Sequence, residues 1–488
     1  MLLSLMSASR GDTRGERAVS VFIGLDIGSS SVKASLFDGE AFSVVRASYQ
    51  GYLDNKQQAA VQVAHAVQDA CGKILAHTQQ RPDEITGIGL SGHGPSILFL
   101  DGQGAVISPL VTWQDTRAAE EAQYLRNRIP GFTKDGTSYE AKLLWFHRHQ
   151  PHCFNTGCTA LYPKDYIIQL LTNERVVDVS TASTFAFYQR SRRTWNEDLM
   201  DFPSLVLPRV ADSWECVGTT CTDFSRACGF PDGLKVYPGG IDAYCGAVGA
   251  GAAIPEIVVE ETGTSTCVSR CYVGGQGKDL HVLPGLSLTM KVISFTGGSF
   301  QWYKDFLGER DVSGMLKAIK VEVPKQLLFL PYLIGERSPI WDEKALGACI
   351  GLRHDTSKED FLQAIMQGTA FAIYQNIQLL EQNTGSIRVV HAVGGSAKDR
   401  AWLQMKAHIT GKTYRQMKNI DASAIGAAIV AGVGAGAINV ADIPSLVGSG
   451  GVDFEPDERV HALYAPLYDM YALLYERLRP VIHALHDA

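Results

Sequence analysis

Two stretches far apart in this chain read almost alike. Residues 239–251 run GGIDAYCGAVGAG, and residues 421–436 run DASAIGAAIVAGVGAG. Each carries Asp-Ala followed by a helical run of Ala and Gly, whose small side chains let a helix approach its neighbours closely. A second pair recurs as well, DIGSSS at 26–31 and ETGTST at 261–266, each an acid and a glycine turn at the end of an apolar run. One member of each pair lies before residue 255 and one after. The duplication predicts two similar α/β lobes with a cleft between them. A chain of 488 residues also exceeds what one hydrophobic core ordinarily serves.

Local patterning fills in the first lobe. Residues 21–26 (VFIGLD) form a short apolar strand, residues 32–37 (VKASLF) alternate, and Asp38-Gly39 turns the chain toward a third strand near 42–49. Residues 57–77 show helical spacing through Val61, Ala64, Val67, Ala70 and Ile74. Strands follow at 85–90 and 96–101, the second closed by Asp101-Gly102. Hairpin strands followed by alternating helix and strand predict a mixed sheet. Residues 150–235, rich in Thr, Ser, Cys and Pro, predict loops and short helices. Residues 1–19 read as an extension outside the fold, residues 20–254 as the first lobe and residues 255–488 as the second.

Composition excludes several classes. A net charge of −7 argues against a partner held through nucleic-acid phosphates. No run of apolar residues is long enough to span a membrane. The ten cysteines form no CxxC pair and no zinc-like spacing, which fits free thiols in a reducing cytoplasm.

The chemistry concentrates in a few turns. At Asp26-Ile27-Gly28-Ser29-Ser30-Ser31-Val32-Lys33 a strand delivers an acid to its end, hydroxyls and N–H groups follow, and a cation arrives on the next strand. Such a turn cradles phosphate oxygens while the carboxylate attends Mg²⁺; a plain Ser-rich hairpin is the alternative. No GxxxxGK[ST] loop is present. Gly263 and Thr264 offer the same chemistry in the second half, and Gly394-Gly395-Ser396 leaves room for a flat ring or a phosphate. Asp242 opens a small-residue helix, either as its N-cap or as a base that takes a hydroxyl proton. Trp113-Gln114-Asp115-Thr116-Arg117 joins an aromatic face to fixed polar groups, a mixture suited to sugars; an Asp–Arg pair bracing a turn is the plainer reading.

From about residue 21 to about residue 480 the chain resembles the FGGY carbohydrate kinase family. The resemblance is carried, in order, by DIGSSSVK (26–33), WQDTR (113–117), KLLWFHRHQP (142–151), PKDYIIQLLT (163–172), GGIDAYCGAVG (239–249) and TGTS (262–265). LPYLIGERSPIWD (330–342), GACIGLRHDTSKEDFLQAIMQG (347–368), GGSAKDRAWLQMKAHITG (394–411) and DASAIGAAIVAG (421–432) continue it. It implies two ribonuclease H-like lobes of the actin-like ATPase kind with mixed sheets, the first holding a sugar and the second ATP. It implies Asp242 as catalytic base and Asp26 as the acid near Mg²⁺. Gly28, Ser29, Ser30 and Lys33 match the first phosphate loop, Gly263 and Thr264 the second, and Gly394, Gly395 and Ser396 the adenosine-side turn. Trp113, Asp115 and Arg117 match the sugar-side segment. The partner implied is a small sugar or polyol; a homodimer is a separate expectation that the resemblance does not supply.

The sequence departs from the family in two places. Asp421 stands where the family usually has Glu. GIGLSGHGPS at 87–96 resembles the xylulokinase GxxSGQMHG, with His93, Gly94 and Pro95 in place of Gln, Met and His. Those positions touch the sugar in xylulokinases, so His93 is a candidate substrate contact and D-xylulose is not the expected best substrate. GERSPIWD is closer to gluconate kinases, and PKDY with DVSTAS (178–183) to xylulokinases, leaving ketoses, polyols and sugar acids open. Actin-like lobes also serve as nucleotide-dependent switches or binding modules; Asp242, with its glycines, favours the kinase.

Overall fold

A computed structural model describes residues 20–49, 59–196, 205–308, 313–382, 385–418 and 421–486. The predicted extension at 1–19 and the first two residues of the predicted 57–77 helix lie outside them.

The apolar runs at the start of the chain form three consecutive antiparallel strands, Val21–Ile27, Ser31–Phe37 and Phe42–Ser48. Strand Val21–Ile27 then pairs in parallel with Ile85–Gly92, and that strand pairs in parallel with Lys235–Ile241. A short edge strand, Gly218–Thr219, completes a six-stranded mixed sheet. The second half repeats the plan. Ile257–Thr262, Thr266–Val273 and Leu286–Ile293 form the antiparallel triplet, and Val389–Val393 and Thr413–Gln416 add in parallel to its first strand. Asp279–Leu280 and Val452–Phe454 cover the two edges of this seven-stranded sheet. In both sheets the third, second, first, fourth and fifth strands of the common plan lie in that order, the actin-like arrangement of mixed sheets.

Helix Ala59–Thr78 covers the first sheet, burying Ala64, Val67, Ala70 and Ile74 as the spacing predicts. Val61 faces solvent instead, and Ala59, Ala60, Val63 and Ala66 join the buried face. The buried stripe thus contains several alanines that a reading keyed to larger residues passes over. The predicted strand at 96–101 shortens to Leu98–Leu100, and residues 150–235 hold short elements, among them helix Pro163–Thr172.

The Gly/Ala repeats explain how the halves join. Helix Asp242–Gly249 follows the last strand of the first sheet, and helix Ala422–Gly434 crosses it while also lying on strands Val21–Ile27 and Ile85–Gly92. A Cβ on Gly426 would stand 1.8 Å from the Cys245 carbonyl oxygen, and one on Gly249 would stand 1.9 Å from that of Ala422. The two backbones touch, so only glycine fits either position. Ser35 Oγ donates to the Ala424 carbonyl at 2.7 Å and fixes the crossing helix against the first sheet. Among the described residues no helix is long and apolar enough to cross a membrane.

Candidate active site

Ligands of parallel sheets gather beyond the carboxyl ends of the strands, and the acids of this chain converge there. Asp26, Ser91 and Gly240 stand in register across three neighbouring strands, and Asp242 follows two residues later. Asp26 is buried and accepts from Ser91 Oγ at 3.1 Å. Lys33, directly opposite Asp26 in the hairpin, brings its Nζ within 3.4 Å of Asp26 Oδ2. The same Nζ lies 3.4 Å from Asp421 Oδ1, which also accepts from Arg46 Nη2 at 3.0 Å. Burial opposes the charge on Lys33, but the Asp26 and Asp421 carboxylates outweigh it and hold its pKa above the ordinary value.

Asp242 is the first residue of its helix. The N-cap is Ile241, and the Asp242 carboxylate accepts from the adjacent Ala243 N–H at 2.8 Å. The plain capping role is therefore absent. The residue keeps partial exposure. Burial, followed by the charges of Asp26 and Glu261, pushes its pKa up to about 8. A carboxyl that titrates near neutrality beside a cation and a second acid can take and release a proton there.

Glu261 is the acid that sequence reading left out of the site. A Cβ on Gly246, one helical turn beyond Asp242, would lie 3.1 Å from Glu261 Oε2 and 3.3 Å from Ser423 Oγ. Glu261 thus sits where the two crossing helices meet the second sheet, and burial pushes its pKa up to about 7. Its signal was its position in ETGTST, the counterpart of the acid in DIGSSS.

The candidate phosphate turns are exposed at their tips. Gly28 N donates to Ser31 O at 3.0 Å, leaving Ser29 and Ser30 at the hairpin apex. Gly263 and Thr264 form the corresponding apex, and the Thr264 carbonyl accepts from Thr296 and Gly298 at 3.0 and 2.9 Å. The turn at 394–396 packs directly on that apex. Gly394 has φ +88°, a Cβ there would stand 2.5 Å from Thr262 O, and Ser396 Oγ donates to that oxygen at 3.2 Å. Beside this turn, Lys398, Met417, Lys418 and Val452 line an open pocket of about 350 Å³. A buried chain of hydroxyls lies below: Thr262, Thr266 and Thr296 join at 2.7 and 2.6 Å, and Thr262 Oγ1 donates to Glu260, which is ion-paired with Lys406.

The sugar-side candidates form a separate cluster that abuts Asp242. A Cβ on Gly94 would lie 3.2 Å from Ile241 Cγ2, so the turn at 93–96 adjoins the residue before the acid. Trp113 is exposed, while Arg117 donates through Nε and Nη2 to both oxygens of Asp115 at 2.8 and 2.6 Å. The pair does brace the turn, and the guanidinium also lies 4.9 Å from the Trp145 ring centre. His93 is 2% exposed, and its Nδ1 meets Ser96 Oγ at 2.8 Å. Burial and the nearby Lys142 charge pull its pKa down to about 3, so the ring is neutral.

Both halves of the chain match models of one protein family. Residues 21–249 match the N-terminal domain of the FGGY family of carbohydrate kinases, and residues 261–435 match its C-terminal domain. A xylulose kinase of Staphylococcus epidermidis is 26% identical over 489 residues, covering 94% of this chain and 97% of that kinase. A gluconokinase of Bacillus subtilis is 23% identical over 469 residues, covering 88% of this chain and 91% of that one. The crystal structure of a xylulose kinase from Rhodospirillum rubrum superposes with a TM-score of 0.82 at 26% identity, covering 95% of this chain and all of that one. The repeated sheet plan, the acids at the strand ends and these matches over both halves lead to one conclusion: the chain belongs to the FGGY family of carbohydrate kinases, enzymes that move a phosphoryl group from ATP to a sugar or sugar acid.

Proposed function

We propose that Asp242 is the general base of this kinase and that its acceptor is a small, uncharged ketose or polyol. The observation that carries the first part is the Asp242 carboxyl, held near neutral pH where the sugar-side turn and the phosphate hairpin meet. The acceptor hydroxyl gives its proton to Asp242 as its oxygen attacks the γ-phosphorus, and ADP leaves. N–H groups and hydroxyls of Ser29, Ser30 and Thr264, at the tips of turns closed by the Gly28 and Gly263 N–H groups, receive the phosphate oxygens, and Lys33 offsets their charge. The 394–396 turn and the pocket beside it take the adenosine end. We assign the sugar side to residues 20–254 and the nucleotide side to residues 255–488.

Mg²⁺ fits this site as an ion delivered by ATP. Asp26 supplies hard oxygen donors, and among the described residues no group of three or more ligating side chains forms a cage. That suits an ion bound chiefly by phosphates and water, with one carboxylate attending. When bound it neutralises charge on the phosphates.

The preference for an uncharged acceptor rests on two cations beside the sugar-side turn that are already engaged, Arg117 with Asp115 and Lys142 with two main-chain carbonyls. His93 acts behind the surface by holding Ser96. Gly94 and Pro95 bring no hydrogen-bonding side chain where xylulokinases have Met and His, so we expect D-xylulose to be outperformed. We also propose a cytoplasmic enzyme, in keeping with ten free thiols, and a homodimer. The test is Mg-ATP turnover, read as ADP release, over a panel of pentuloses, hexuloses, alditols and aldonates. A ketose or alditol should lead. An aldonate leading, or D-xylulose leading by tenfold, would sink the acceptor assignment.

A further inference from the structure

Lys142 lies in the KLLWFHRHQP stretch, on helix Tyr139–His149, and the reaction as described gives it no direct part. Its side chain is completely buried. A lysine in that position normally finds a carboxylate, because an ammonium taken out of water must be compensated. Here Nζ instead donates to two main-chain carbonyls, Pro95 O at 2.9 Å and Thr112 O at 2.7 Å. These belong to two different segments: the turn at 93–96, which adjoins Ile241, and the loop at 112–117, which carries Trp113, Asp115 and Arg117. A second link joins the same segments, since Ser96 Oγ accepts from the Trp113 N–H at 3.0 Å while meeting His93 Nδ1 at 2.8 Å.

We propose that Lys142 is a positioning residue for acceptor binding: with Ser96 and His93 it locks the Trp113–Arg117 loop to the turn beside Asp242, fixing the acceptor's face relative to the base. The inference rests on the sugar-side reading given above. Its physical basis is geometric. An ammonium offers three N–H donors in divergent directions, so one group can hold two carbonyls on separate segments at a set spacing. A methionine of similar length would fill the volume without the desolvation cost, yet would remove the donor that ties the two carbonyls together: Thr112 O would keep only its local bond from the Asp115 N–H at 3.1 Å, and the loop would be free to drift from the turn. Burial pulls the pKa of Lys142 down to about 8, with Asp115 and Asp135 supporting its charge and Arg117 opposing it. The group that bears this cost is the one that holds the two backbone segments together.

A loop that drifts costs acceptor affinity more than nucleotide affinity, because its residues lie on the sugar side. The experiment is steady-state kinetics with Mg-ATP and the best acceptor for wild type, Lys142→Met, Lys142→Gln and Ser96→Ala. The expected result is an acceptor KM raised tenfold or more in both Lys142 variants, with the KM for ATP within twofold and kcat within threefold. Ser96→Ala should raise the acceptor KM at least threefold. A folded Lys142 variant whose acceptor KM stays within threefold, or whose two KM values rise together, overturns the proposal. Should both Lys142 variants fail to fold, Ser96→Ala decides, and an unchanged acceptor KM there overturns it. Wild type that no acceptor stimulates would overturn the kinase reading itself, before any variant is compared.

Discussion

The two lobes build the same hairpin and load it differently. In the first, between Val21–Ile27 and Ser31–Phe37, the last charged pair of the ladder is Asp26 opposite Lys33. In the second, between Ile257–Thr262 and Thr266–Val273, the corresponding rungs are Glu261 opposite Cys267 and Thr262 opposite Thr266. The first hairpin thus brings opposite charges to the cleft. The second presents neutral donors at its tip and keeps its ion pair, Glu260 with Lys406, buried beneath. Burial lowers the pKa of Lys406, and the Glu260 carboxylate works against that shift. One architecture therefore serves two tasks, balancing charge around the acids in one lobe and offering hydroxyls and N–H groups in the other. Glu261 is the exception, an acid from the neutral-tipped lobe that reaches the charged one.

The largest effect should come from the acid at the junction. Asp242→Asn should lower turnover by about a hundredfold or more, the usual weight of a general base, while leaving the KM for ATP nearly unchanged. Turnover within threefold of wild type would end that assignment. The same variant carries a stability signature. Because the folded pKa of Asp242, about 8, lies above the ordinary 3.8, the native state holds an extra proton between those values. Wild-type stability therefore falls as pH rises through that window. Melting curves should show Asp242→Asn gaining over wild type from pH 4 to pH 8.

Next in size is Asp26→Ala, which removes the charged rung of the first hairpin. It should cut kcat/KM for Mg-ATP by about tenfold or more and alter the magnesium titration. An unchanged magnesium dependence would leave the two hairpins equivalent. Gly426→Val tests the contact that joins the lobes: with the Cys245 carbonyl already at touching distance, it should destabilise by about 1–3 kcal/mol, or more if the helices separate. A Tm equal to wild type would contradict the close crossing. The smallest effect is Glu261→Gln. The base must be ionised to act, and losing a neighbouring negative charge lowers its pKa. The acid limb of kcat/KM should therefore move to lower pH, by roughly half a unit to one unit. A limb that stays in place would detach Glu261 from the site.

Much of the fold was legible because its signals are local. Alternation and turn residues announced the strands of the first hairpin, 261–266 announced a turn without the hairpin that carries it, and the Gly/Ala runs announced helices that pack closely. Asp26 was legible as an acid at a strand end, Lys33 as a cation on the next strand and Asp242 as an acid opening a helix. What escaped depends on partners distant in sequence. Arg46 and Asp421 meet 375 residues apart, and nothing in either neighbourhood signals the other. The surroundings of His93 escaped in part for the same reason: Ser96 is a near neighbour, but Lys142 arrives on a helix 49 residues farther along the chain. Val61 shows the remaining gap, since helical spacing finds a face but burial decides which side of it is covered.

The crossing helix Ala422–Gly434 also has a consequence for biogenesis. It covers strands Val21–Ile27 and Ile85–Gly92 of the first sheet, yet it leaves the ribosome long after them. Some 330 residues separate residue 92 from residue 422, and at about 5–20 residues per second that is a delay of roughly 15–65 s. Throughout it, the nascent first lobe exposes a bare apolar sheet face shaped for a helix not yet made. The chain must therefore be shielded during synthesis, by chaperones or by transient contacts of its own. Any truncation before residue 421 would leave that face permanently open and the product prone to aggregate.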